Sequence, residues 1–229
     1  MVKIMQSESA EHIAAPEQIG LAARERLLEA AAKLFAERGL NGVSIRDLVS
    51  EAEVNIAAVN YYFGSKEKLY LEALRLSFRY TREAMPHFQA LQTTARQRGT
   101  AEAAVEGIRR YVEEFMRLIF VAGRASRHAA LLTRELNQPT QALDLIVEEF
   151  MTPIYEVLRK LIAQARPDLP DAERNYAALS LLGQCLHYHF CLPINLRLLK
   201  QPQMTDSLVS QLSVHIANFS LRGLGVIAT

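Results

Sequence analysis

The stretch SIRDLVSEAEVNIAAVNYYFGSKEKL, residues 44–69, decides how this 229-residue chain folds. Ser44 followed by Asp47 three residues on is a capping-box-like pattern. It predicts a helix that runs to about Ala52. Glu53-Val54-Asn55 then makes a turn, and Ile56 to Phe63 is a short helix that Gly64 ends. Ser65 caps the next helix, with Glu67 in its first turn where the helix dipole favours an acid. Val59 and Phe63 are four residues apart and face inward; Ala57, Ala58, Asn60 and Tyr61 then face outward.

Upstream, Leu27, Ala31, Leu34 and Phe35 share one face of a helix, which Gly39 stops. Three short helices therefore precede the longer ones. The second and third have the form of a helix-turn-helix, in which one helix braces another against the major groove. Small Ala57 and Ala58 permit close approach and contact with thymine methyls, and Asn60 can read a base edge. A plain three-helix packing unit has the same periodicity. It leaves the outward Tyr61 and Tyr62 beside Lys66 without a purpose.

At these residues the chain resembles the TetR family of transcriptional regulators. The resemblance covers about residues 24–72 and rests on Ser44 to Leu48, Val54 and Ala58 to Leu69. It implies that Ser44 caps its helix and touches a phosphate, and that Arg46 reaches a base or the backbone. Asn55 to Asn60, Ala57 and Ala58 included, would face the bases. Tyr61, Tyr62 and Lys66 would clamp phosphates. One position departs: the turn commonly holds Gly, and here stands Glu53. A side chain with positive φ there costs on the order of 1 kcal/mol.

The family also implies the rest of the organisation. Residues 1–20 read as a flexible leader, 21–72 as the DNA-binding domain and 73–229 as a ligand-binding and dimerisation domain. The expected partner is a near-palindromic double-stranded operator, held by a homodimer through the last two helices. A small-molecule inducer would release a repressor from it. No other cofactor and no metal is expected.

From Lys66 onward the expected helices are Lys66 to about Met85, which Pro86 ends or kinks, one opening at Gly99-Thr100, and Ser126 to Asn137. Thr140 to Ala165 follows, kinked at Pro153, then Ala172 to about Leu192 and Thr205 to about Leu221. Phe115, Met116, Ile119, Phe120 and Phe150 are either an apolar pocket wall or ordinary core. Arg134, with Glu135, either lines that pocket or forms an inter-helix ion pair. His187 is a further candidate lining residue. A narrower resemblance, on Arg134-Glu135-Leu136, Pro139, Ala142 to Asp144, Ile146 to Phe150, Pro153 and Gly183 to Cys185, points to a TetR subgroup with a distinctive C-terminal domain. That subgroup is linked to drug tolerance and efflux genes.

Composition excludes several classes. The formal net charge is +1, so no basic tail argues for nucleic acid; over residues 21–82 ten basic side chains meet eight acidic ones. Cys185 and Cys191 are too few and too close for a disulfide framework. The segment from Ala177 to Ile194 is interrupted by Gln184, His187 and His189, a poor membrane span, so the default is a soluble cytoplasmic protein. Cys185 with His189, and His187 with Cys191, fall on opposite helix faces and cannot close around one zinc. A pair shared with another helix stays open. No His has Glu three residues before it, which removes the di-iron bundle, and neither a phosphate loop nor a nucleophile elbow occurs. An enzyme is therefore not expected. A helical scaffold that never meets DNA is the remaining rival.

Overall fold

Helix-length apolar periodicity dominates this chain, and the computed structural model follows it. The structure describes residues 16–121 and 126–226, without the side chains at 16–19, 77, 80, 81, 121, 126–130 and 132. Among these residues there is no strand, so the expected all-α class is the one observed. The chain divides into two compact units, Met1–Ala73 and Leu74–Thr229.

The first unit holds α1 (Pro16–Arg38), α2 (Ile45–Ala52), α3 (Ala57–Phe63) and the start of α4 (Lys66–Ser77). Helix α1 begins inside the span expected to be leader. The remainder of that leader lies outside the described residues. Leu27, Ala31, Leu34 and Phe35 are all buried, against Leu48 and Val49 of α2 and Val59 and Phe63 of α3. Phe35 meets Tyr70 edge-on at 5.0 Å between ring centres. Arg26 Nε donates to the Ala52 carbonyl at 3.1 Å, and Lys33 pairs with Glu51 at 2.6 Å, so the C-terminal end of α2 is tied to α1.

The second unit follows the last turn of α4 with α5 (Arg79–Arg98), α6 (Ala101–Val121), α7 (Ser126–Asn137) and α8 (Ala142–Ile146). A π turn (Val147–Met151) leads into α9 (Thr152–Ala165), then α10 (Asp171–Phe190), α11 (Leu192–Leu198) and α12 (Asp206–Gly223). Helix α6 is central and packs on α5, α9 and α12. Ile108, Tyr111, Val112 and Met116 are buried with Leu158, Leu161 and Ile162 of α9. Gly107 lets α6 approach α9 closely: a Cβ there would stand 2.7 Å from Leu161 Cδ2. The Tyr111 hydroxyl donates to the Ile154 carbonyl at 3.0 Å, and burial raises its pKa well above the usual phenol value, so it stays a neutral donor.

Three helix boundaries differ from expectation. The helix after Ser65 breaks at Phe78, not at Pro86, and α5 runs through Pro86. Phe78 is buried and stacks on Phe150 at 3.9 Å, a tertiary contact no local signal announces. Pro86 and Arg82 are both exposed, so water can take the Arg82 carbonyl that the proline leaves without a donor. The run from Thr140 to Ala165 is divided by the π turn, in which Thr152 N–H bonds the Val147 carbonyl five residues back. Pro153 lies just beyond, and the wider turn makes room for its ring. Finally, α11 forms with Pro193 in its first turn, so the last two long helices are α10 and α12.

Candidate nucleic-acid interface

The turn from α1 to α2 ends at Ser44, whose backbone is extended and whose side chain closes a capping box. Ser44 Oγ accepts from Asp47 N–H at 3.2 Å. Asp47 Oδ2 in turn accepts from Ser44 N–H at 2.8 Å and from Ser44 O–H at 2.7 Å. The Ser44 hydroxyl, then its N–H, holds the Asp47 carboxyl below its usual pKa. The expected cap is present. The Ser44 hydroxyl is already engaged in it, and Arg46 is exposed on the next turn.

Glu53 stands in the left-handed region at φ 53°, ψ 50°, between α2 and α3. The family's usual glycine would sit there without strain. Glu53→Gly is therefore expected to raise the free energy of unfolding by about 1 kcal/mol, read from chemical denaturation. An unchanged or lowered stability would refute this strain.

Asn55 is exposed. Its Oδ1 accepts from Ala57 N–H at 2.9 Å and starts α3. Val59 and Phe63 are buried as expected, Phe63 beneath the guanidinium of Arg24 at 5.0 Å. Ala57, Asn60 and Tyr61 are exposed, and Ala58 is half-buried. Tyr61 is 81% exposed and Tyr62 meets it edge-on at 4.8 Å. The Tyr62 hydroxyl lies against α1, where a Cβ added to Gly20 would be 3.5 Å away. Gly64, at φ 82°, ends α3 in a conformation other residues rarely adopt.

Lys66 has a partner set that spacing did not announce. Its Nζ donates to the carbonyls of Leu40 at 3.0 Å and Val43 at 3.1 Å. The ammonium thus ties α4 to the turn that presents Ser44, and one of its three protons remains for a phosphate. Ile56, in the run from Asn55 to Asn60, precedes the first turn of α3 and is exposed.

Phe115 and Met116 are buried in the main core, with Ile119 and Phe120 packed against it. Phe150 lies outside that cluster, on Phe78 and under Arg82 at 5.9 Å. Arg134 is half-buried, while Glu135 is buried and accepts from Thr140 N–H at 2.5 Å. His187 is exposed, its ring 3.2 Å from Asn195 Oδ1, and this pair braces the corner between α10 and α11. A groove of about 210 Å³ between α6 and α12 is lined by Arg109, Glu113, Ser213 and Val214, among others. No cluster of three or more metal-ligating side chains occurs among the described residues. No helix among them is long and apolar enough to cross a membrane.

Comparison with known proteins bears on both units. Residues 27–73 match the family described as bacterial regulatory proteins, tetR family. Residues 104–224, more than half of the chain, match the C-terminal domain of the HTH-type transcriptional dual regulator CecR. CecR of Shigella flexneri is 32% identical over 172 residues, 74% of this chain and 76% of that protein. Two solved structures share the fold. HlyIIR, a hemolysin II transcriptional regulator, superposes with a TM-score of 0.57 at 23% identity, over 86% of this chain and 97% of its own. FadR of Bacillus subtilis, in complex with stearoyl-CoA, does so with a TM-score of 0.57 at 15% identity, over 87% and 98%. With a recognition unit and a C-terminal domain matched in one chain, and a relative spanning both, the chain belongs to the TetR family of bacterial DNA-binding transcriptional regulators, with a C-terminal domain of the CecR type.

Proposed function

We propose that this chain is a ligand-responsive repressor, a homodimer that occupies a near-palindromic operator until a small molecule releases it. The observation that carries the reading is the face of α3, where Ala57, Asn60 and Tyr61 stand exposed on a helix whose other side is locked into the core. Residues 21–72 serve DNA binding; residues 73–229 serve effector binding and dimerisation. It acts by binding, not by catalysis, in the cytoplasm where its DNA lies. Control of drug-tolerance and efflux genes is the biological setting that the C-terminal resemblance suggests.

Dimerisation through α10 and α12 is supported by what those helices expose. Tyr176 and Leu179 on α10, and Val214 and Phe219 on α12, are large apolar side chains in water. Two copies joined there form a four-helix bundle. Their α3 helices must then meet successive major grooves about 34 Å apart.

Release requires the effector to bind more tightly to the DNA-free dimer, and the same coupling makes DNA weaken effector binding. FadR, which shares the fold, was solved with stearoyl-CoA. For the present chain the effector is an apolar or amphipathic small molecule, in keeping with the aromatic and aliphatic side chains around α6. The last turn of α4 offers a means of coupling. Arg75 donates to Glu149 of the π turn, from Nη2 at 2.6 Å and from Nε at 3.1 Å. That hydrogen bond, then the charges of Arg75 and Arg82, holds the Glu149 carboxyl below its usual pKa.

The test is fluorescence anisotropy of the purified chain against duplexes tiled across its own promoter, at two salt concentrations. Tight, salt-dependent binding to one short near-palindrome is expected. Weak binding that ignores sequence would sink the repressor reading and favour a helical scaffold.

A further inference from the structure

The outward face of α3 has an uncommon composition for a surface that meets a polyanion. From Val54 to Ser65 there is no Lys or Arg. The next cation, Lys66, has its ammonium on the carbonyls of Leu40 and Val43. Guanine is read in the major groove chiefly by Arg or Lys, on O6 and N7. Helix α3 has neither to offer.

What this face does expose is aliphatic. Ile56 is 56% exposed, with exposed Ala57 beside it. The bond from Ala57 N–H to Asn55 Oδ1 spans Ile56 at the entry into α3. Among base edges in the major groove only the thymine 5-methyl presents apolar surface. Exposed Asn60 complements it, because an amide pairs with N6 and N7 of adenine.

We propose that the base pairs under α3 are A·T pairs, with Ile56 and Ala57 covering thymine 5-methyl groups and Asn60 reading adenine. This rests on the operator-binding reading above and adds to it the chemistry of the recognised sequence. Arg46, on α2, lies outside this face and leaves flanking positions open to guanine.

The experiment selects duplexes from a randomised library with the full-length chain, then exchanges thymine for uracil one position at a time. Uracil keeps every hydrogen-bonding group and removes only the methyl. Selected half-sites should carry A·T pairs at their centre. At least one exchange there should weaken binding roughly fourfold, the value of one buried methyl group. The Ile56→Ala protein should lose that factor at each half-site, about sixteenfold for the dimer on the thymine operator, and be indifferent to that exchange. Ile56→Val should keep the sensitivity. Both variants should retain the helical circular dichroism of the parent, since the side chain is exposed. Selection of G·C pairs under α3 would overturn the proposal. So would tolerance of uracil at every position, or undiminished sensitivity in Ile56→Ala. If no duplex is selected at all, the operator-binding reading itself falls and takes this one with it.

Discussion

Lys66→Ala is expected to weaken the first unit and its grip on DNA together. The ammonium holds two backbone carbonyls of the turn before α2, Leu40 and Val43, at 3.0 and 3.1 Å. Hydrogen bonds made by a charged donor contribute more than neutral ones, so the variant should lose about 2 kcal/mol of unfolding free energy. The same turn delivers Ser44, and through the capping box it sets where α2 begins. Operator affinity should therefore fall more than tenfold. Because one ammonium proton is left for a phosphate in each copy, the slope of log affinity against log salt should also become shallower by about 0.9 per copy, about 1.8 for the dimer. Lys68→Ala, an exposed neighbour, serves as the control for charge alone. Urea unfolding and anisotropy separate the outcomes. An affinity loss with unaltered stability would mean that the carbonyl contacts contribute nothing and that Lys66 acts on DNA alone.

The larger effect is expected on the C-terminal helices. Leu179 and Phe219 are 58% and 62% exposed, one on α10 and one on α12. Burying one such side chain gains about 1.5–3 kcal/mol, and a two-fold interface counts each residue twice. Replacing both by Glu removes that gain and places carboxylates where they would have to be desolvated. The Leu179→Glu/Phe219→Glu protein should sediment as a monomer at concentrations where the parent is a dimer. Its fold should be intact, because neither side chain belongs to the core. Operator affinity should drop at least a hundredfold, since one copy meets only one half-site. A double variant that remains dimeric would place the interface elsewhere and remove α10 and α12 from the proposal.

Much of the first unit was readable before any coordinates. The Ser44–Asp47 box, the inward Val59 and Phe63 and the stop at Gly64 are local effects. Each is set by residues within four positions of one another, and the structure has all of them. Glu53 was legible too, as a departure from the family's turn, and it does adopt a positive φ. The partners of Lys66 were not legible, because they lie 23 and 26 residues away and are backbone carbonyls without sequence identity. Ile56 belongs to the run from Asn55 to Asn60 that the resemblance placed opposite the bases, and the structure shows it exposed just before α3.

The second unit divides in the same way. Caps, breakers and apolar spacing, all short-range, determined that the chain is helical, roughly where most helices lie, and that α3 presents small and polar residues outward. Only the tertiary structure decided which long-range contact overrides a local signal. The Phe78–Phe150 stack breaks the chain eight residues before Pro86, and a π turn rather than a simple kink receives Pro153. It also decided that Phe150 stands apart from Phe115 and Met116, and that His187 faces solvent beside Asn195. The physical reason is one of range. Backbone hydrogen bonding and helical period act over a few residues, whereas packing joins side chains that the chain order keeps far apart.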